Sequence, residues 1–228
     1  MSENISNDIV GYPVNRGLDE YGEVFGMTRG EMLNWLESKK KVLDIGSGGG
    51  LLQKEVNILK KQGFRSHVQI ISMDIIYGSE SGGDFAKYAT HLAFTHLNKI
   101  PTKSDISEIN NLFENSAAGG SFTKLPFVDE SFDGVLASYS FGIHSKSKEQ
   151  ILQAYNELER VLKMGGEARV SVIFDPEKEV FRTVNRSNPV IYCLNDLPFS
   201  LSNIKLDKSI IGEGQNVSIN HFLVINKE

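Results

Sequence analysis

Two acidic residues and a run of glycines hold the densest chemistry in this sequence. Asp44 sits inside VLDIGSGGG, Val42 to Gly50, where an apolar run enters glycines that permit positive φ and let a ligand approach the backbone closely. Asp74 closes a second apolar run, HVQIISMD. The dinucleotide fingerprint G-x-G-x-x-G fails here, because Gly46 and Gly48 fit but the third position is Leu51. A phosphate loop fits worse, since no Gly-Lys-Ser/Thr follows. A carboxylate at Asp44 aimed into such a loop would repel a pyrophosphate and suit a ligand that carries an amine.

Other reactive side chains are sparser. His91 and His96 are five residues apart, which takes them off the shared helix face that paired metal ligands need, so no metal site is expected. His144, in YSFGIH, follows a strand and has the side chain of a general base; its other reading is a surface-loop histidine. Cys193 is the lone cysteine, and IYCLND lacks the proline that precedes the nucleophile of cytosine-C5 methyltransferases. A single thiol makes no internal disulfide, which points to a reducing compartment. MSENISNDIV has no basic region followed by an apolar run, and no stretch reaches the roughly 20 apolar residues of a membrane span. Together these lead to the expectation of a cytoplasmic protein.

The elements that position these residues follow from periodicity. Leu18, Tyr21, Val24 and Phe25 recur at helical spacing, and Thr28 to Glu31 reads as a capping box opening a helix through Trp35 and Leu36. Tyr12 and Tyr21 belong to this amino-terminal part, either as core residues or as side chains folded over a ligand. KVLDI (Lys41 to Ile45) reads as a strand, LLQKEVNILKKQG as a helix and His67 to Asp74 as a strand. A helix with Phe85, Ala89, Leu92 and His96 and a shorter one with Ile106, Ile109 and Phe113 come next. FDGVLASYS is a strand; Ser147 to Gln150 caps a helix that should stop at Gly165-Gly166; Glu167 to Phe174 is another strand. Two more are expected at Ile204 to Ile211 and Val217 to Ile225.

Strands alternating with helices imply right-handed crossovers and a parallel sheet covered on both faces, with ligands beyond the strands' carboxyl ends. We therefore expect an α/β fold: a Rossmann-like, doubly wound, mostly parallel seven-stranded sheet in a three-layer α/β/α sandwich. Residues 1–40 form an amino-terminal helical segment, a lid or cover, and residues 41–228 the main domain with an insertion near 98–118. The chain has 228 residues, 40% of them hydrophobic and 23% charged, with a net charge of −5, which excludes disordered or fibrous classes and argues against a nucleic-acid backbone as partner.

Three segments in order, VLDIGSGGG, KLPFVDESFDGVLA (Lys124 to Ala137) and RVLKMGGEARVSVI (Arg160 to Ile173), resemble the class I S-adenosylmethionine-dependent methyltransferases, in particular the small-molecule branch with the quinone-biosynthesis-type enzymes. The resemblance implies S-adenosylmethionine as cofactor, S-adenosylhomocysteine as product and a small-molecule acceptor. It also implies roles residue by residue. Gly46, Ser47 and Gly48 would pass beneath the methionine portion and ribose, and Asp44 would orient the loop and the cofactor's ammonium. Asp74 would accept the ribose hydroxyls, Ile75 would lie against adenine, and Ser138 would face the methionine end. Relatives carry an acid where this chain has Gly120-Ser121-Phe122; Ser121 would accept one hydrogen bond from adenine and Phe122 would pack on the ring. Two other readings stay open: a non-catalytic binding or regulatory module on the same fold, and a methyltransferase acting on protein or RNA.

Overall fold

The computed structural model describes residues 16–48, 50–74, 117–141, 145–183, 188–211 and 218–228. Its centre is β1, Lys41–Ile45, which runs parallel to β2, Gln69–Asp74, on one side. The short β3, Ala117–Gly119, lies outside β2, and β4, Phe132–Ala137, flanks β1 on the other side; both are parallel. β5, Leu162–Asp175, continues parallel beyond β4. Two short strands, β6 (Val180–Arg182) and β7 (Ile191–Tyr192), fold back antiparallel from the far end of β5. β8, Ile204–Ile211, pairs antiparallel with β9, Ser218–Asn226, which in turn pairs antiparallel with β5. The path β3-β2-β1-β4-β5-β9-β8 is the expected seven-stranded, mostly parallel sheet; β6 and β7 bring the total among the described residues to nine. Among the described residues no helix is long and apolar enough to cross a membrane.

Alternation along the strands sends successive side chains to opposite faces, and each face has its own cover. Leu43, Ile45, Val135, Ala137, Ala168 and Val170 pack on one side against Ile151, Ala154, Tyr155, Leu158 and Val161 of a single long helix, Lys148–Val161. On the other side Val42, Ile70, Leu136 and Phe222 meet three helices: α1 (Leu18–Val24), α2 (Arg29–Glu37) and α3 (Leu51–Lys61), so the long helix is α4. The result is the three-layer sandwich that two-sided apolar strands require.

Local chemistry sets the helix starts. Thr28 accepts from Glu31 N while the Glu31 carboxylate accepts from Thr28 N, the reciprocal pair expected at α2. At α4 the Ser147 hydroxyl accepts from Gln150 N, but the Gln150 side chain accepts from Lys146 N instead of closing the box on Ser147. α2 is seated by Trp35, whose indole N–H donates to Glu167 at 2.8 Å and whose ring lies over Gly134. A Cβ on Gly134 would come within 2.8 Å of that ring, so this strand glycine makes room for the tryptophan.

One expected boundary is corrected. α4 ends at Val161, not at Gly165-Gly166, and Leu162 already pairs with Phe132 as the first residue of β5. The glycine pair sits within the strand, where the register with β4 shifts between Phe132 and Gly134 and Gly165 takes φ +74°. Gly165 N donates to Lys227 O and Lys227 N donates to Gly166 O, which gives the irregular stretch its partners.

Candidate functional site

β1 is where the strand order reverses, with β2 reached one way and β4 the other, and crevices at such a switch point are where ligands bind in open α/β sheets. The carboxyl ends of β1, β2 and β4 bring together Asp44, the glycine loop, Asp74 and Ser138.

The loop is folded by its neighbour strand. Gly46 N and Ser47 N both donate to Met73 O, at 2.7 and 3.2 Å, and Gly48 N donates to the Asp74 carboxylate at 3.1 Å. Gly46, Gly48 and Gly50 have φ of +70°, +55° and +66°, the left-handed region where a side chain is strained. Gly46 has a second reason to lack a side chain: a Cβ there would lie 2.1 Å from Ser140 Cβ and 2.3 Å from its Oγ. Ser140 itself donates to Ile45 O at 2.8 Å, closing the segment after β4 over the start of the loop. Between them Tyr139 holds φ +51°, a strained value for a non-glycine residue beside the crevice.

Asp44 is 1% exposed. The hydroxyl of Tyr21, from α1, donates to its Oδ1, and among the described residues this is the only hydrogen bond the carboxylate receives. Burial raises its pKa to about 7; Tyr21 and the more distant charge of Arg16 pull it down, and Asp74 pushes it up. A carboxylate buried with one neutral donor and no cation in contact is under-compensated, which is the condition a bound cation relieves. Ser138 is equally buried, and its Oγ has no hydrogen-bond partner among the described residues, while its carbonyl accepts from Arg16 Nη1 at 3.4 Å. Arg16 also stacks over the Tyr139 ring at 5.0 Å.

Sequence reasoning placed Asp44, Gly46, Ser47, Gly48, Asp74 and Ser138 on neighbouring strand ends, and the structure has them along one rim. Ser121 lies in a tight turn two residues beyond β3, whose Gly119 pairs with Asp74, and its hydroxyl shares a 2.8 Å hydrogen bond with Thr123 Oγ1 and accepts from Thr123 N. Phe122 packs on Phe141 at 6.1 Å, partly buried against the α4-side core. Ile75, His144 and most of the 98–118 segment lie outside the described residues. Missed by the spacing argument are Arg16 and the pairing of Tyr21 with Asp44; the one signal for Tyr21 was its place on the buried stripe of α1.

A Rossmann-like sheet with an acid-tipped first strand, a left-handed glycine loop and an acid at the end of the second strand defines the class I S-adenosylmethionine-dependent methyltransferases. The methyltransferase-domain family model matches residues 43–170, more than half of the chain, and the chain belongs to that family. It is an enzyme, and its methyl donor is S-adenosylmethionine. Among solved structures it is similar to the PH0226 protein of Pyrococcus horikoshii OT3 (18% identity, 96% of this chain and 97% of that one, TM-score 0.49). It is also similar to a SAM-dependent methyltransferase of Methanosarcina mazei (16%, 85% and 95%, TM-score 0.49) and to one of Aquifex aeolicus (16%, 90% and 92%, TM-score 0.45). A comparison with curated proteins gives no match.

Proposed function

We propose that the chain transfers a methyl group to a small-molecule acceptor from a cofactor held along the rim from Asp44 to Ser138. The observation that carries the cofactor placement is Asp44: a fully buried acid with a single neutral donor, beside the unpartnered hydroxyl of Ser138, supplies what an ammonium group seeks. Asp74 is the proposed acceptor of the ribose hydroxyls, and its bond to Gly48 N ties that acceptor to the loop. Gly46, Ser47 and Gly48 offer a close backbone surface to the methionine portion. Ile75 is assigned to the adenine ring. Ser121 and Phe122 are the adenine-side candidates, and the Ser121 hydroxyl, shared with Thr123, keeps a lone pair for the adenine amino group.

S-adenosylmethionine supplies an electrophilic methyl on a sulfonium, whose departure leaves a neutral thioether. The protein's part is therefore alignment and exclusion of water. For the acceptor, an open cleft of about 500 Å³ lies beyond the carboxyl end of β5, where Phe174, Val180 and Ile191 meet the charged Asp175, Glu177, Lys178 and Arg182, and its size is that of a small-molecule site. The net charge of −5 favours such an acceptor over a polyanion.

Calorimetry with S-adenosylmethionine tests the placement: binding should occur at micromolar to millimolar cofactor and weaken about tenfold or more in Asp74→Asn. Turnover of labelled cofactor against a panel of small acceptors, with proteins and RNA as the contrasting arm, tests the acceptor class. Label found only on protein or RNA would overturn it, and cofactor binding with no acceptor methylated would favour the non-catalytic module.

A further inference from the structure

We propose that Tyr21 is a positioning residue of the cofactor site, holding Asp44 ionised and aimed as the acceptor for the cofactor's ammonium, so that α1, outside the family-matched region, must be docked for the methionine end to bind. The proposal rests on the cofactor placement given above.

Contacts at three points of the segment, Arg16, Tyr21 and Val24, carry it. Tyr21 is 1% exposed, and its hydroxyl, the one polar atom of a ring stacked on Phe25, is spent on Asp44. The other end of α1 is clamped to the sheet: Val24 O accepts from both Ser209 Oγ and Asn220 Nδ2, each at 2.8 Å. Asn220 Oδ1 in turn accepts from Tyr139 OH at 2.6 Å, in the strained segment that closes over the glycine loop. Before the helix, Arg16 reaches Ser138 O and the Tyr139 ring. The amino-terminal segment thus touches the Asp44 carboxylate and, through the Ser138 carbonyl, the residue whose hydroxyl has no partner among the described residues. A hydrophobic helix needing only to cover the sheet would present phenylalanine at position 21; the hydroxyl buried against a carboxylate has a role only if that carboxylate must stay charged.

The charged and titratable groups facing Asp44 are Tyr21 and Arg16 from the amino-terminal segment and Asp74 from β2. Because burial already lifts Asp44 toward neutrality, loss of the Tyr21 donor raises its pKa further and leaves a protonated acid that cannot pair with an ammonium.

The test is cofactor affinity against pH from 5.5 to 9 for wild type, Tyr21→Phe and Asp44→Asn, using S-adenosylhomocysteine and, as a probe without the amino-acid portion, 5′-methylthioadenosine. Wild type should bind S-adenosylhomocysteine progressively more weakly as pH falls below about 7, where Asp44 takes up its proton. Tyr21→Phe should weaken that binding about tenfold at pH 7 and shift the midpoint of its acid-side fall upward. Asp44→Asn should bind weakly at every pH, and neither substitution should move 5′-methylthioadenosine. A Tyr21→Phe midpoint equal to wild type, or an equal loss for both ligands, overturns the role assigned to Tyr21. Absence of any cofactor binding by wild type overturns the placement itself, and Asp44→Asn with wild-type affinity and pH profile does the same.

Discussion

The two faces of the central sheet solve different problems. The face under α4 is mostly apolar: Leu43, Ile45, Val135, Ala137, Val170 and Val172 meet helix residues of the same kind, with aromatic contacts from Phe132, Phe141 and Tyr155, and its buried polar atoms include the hydroxyls of Tyr155 and Tyr192. The face under α1 begins the same way with Val42 and Leu136, then turns polar toward the strand ends with Asp44, Ser138, Ser171 and Asn220. Among the described residues Ser138 and Ser171 bury hydroxyls that find no partner, and Asp44 buries a charge that finds one neutral donor. Both faces bury hydroxyls, but a buried carboxylate, Asp44, lies on the α1 side alone of the two, at a strand end where a ligand completes the polar set.

The comparison breaks most directly through the apolar face. Phe132→Ala, removing a fully buried ring 4.9 Å from Phe127, should cost about 3–5 kcal/mol of unfolding free energy in denaturant titrations. That loss should be independent of pH and of cofactor beyond the mass-action increment. Next in size is Gly46→Ala, which meets Ser140 at 2.1 Å in a left-handed conformation; it should cost about 2–4 kcal/mol, and any folded fraction should bind cofactor poorly because the loop has moved. Asp74→Asn comes third. The amide still accepts from Gly48 N, so stability should change little, while cofactor affinity falls by about 1.5–3 kcal/mol. Removing that charge also relieves Asp44, whose protonation midpoint should move down from about 7.

Residues also differed in how far their surroundings were legible before the structure. β1 was readable because a short apolar run ends abruptly at glycine, and β8 because Ile204, Leu206 and Ile210 alternate with polar residues. The rim positions of Asp44 and Asp74 followed, since a parallel strand's last residues lie at the ligand edge by topology alone. The start of β5 was not readable: Val161 and Leu162 continue the helix's apolar stripe, and a glycine pair normally ends a helix, whereas pairing with Phe132 and Lys227 turns it into a strand irregularity. β6 and β7, three and two residues long, are too short for a period to show. Tyr21 was ambiguous for a deeper reason. A tyrosine on a buried helical stripe looks the same whether its hydroxyl meets water, backbone or a carboxylate, and only the docking of α1 against β1 selects Asp44.

The smallest expected effect sharpens the contrast most. Ser138→Ala and Ser171→Ala each delete a buried hydroxyl that has no hydrogen-bond partner among the described residues, so in the cofactor-free protein each should be neutral or stabilising, by about 0.5–1 kcal/mol. The two should part company when cofactor is added. Ser171 lies within β5, paired with Phe222 of β9, and its loss should leave affinity unchanged. Ser138 follows β4 at the crevice, and its loss should weaken binding even as it stabilises the empty protein. Matched unfolding and calorimetry on this pair separate a hydroxyl left unpaired for a ligand from one left unpaired by packing alone. Equal cofactor affinity in the two variants would make both merely structural and confine the site's polar chemistry to Asp44 and Asp74.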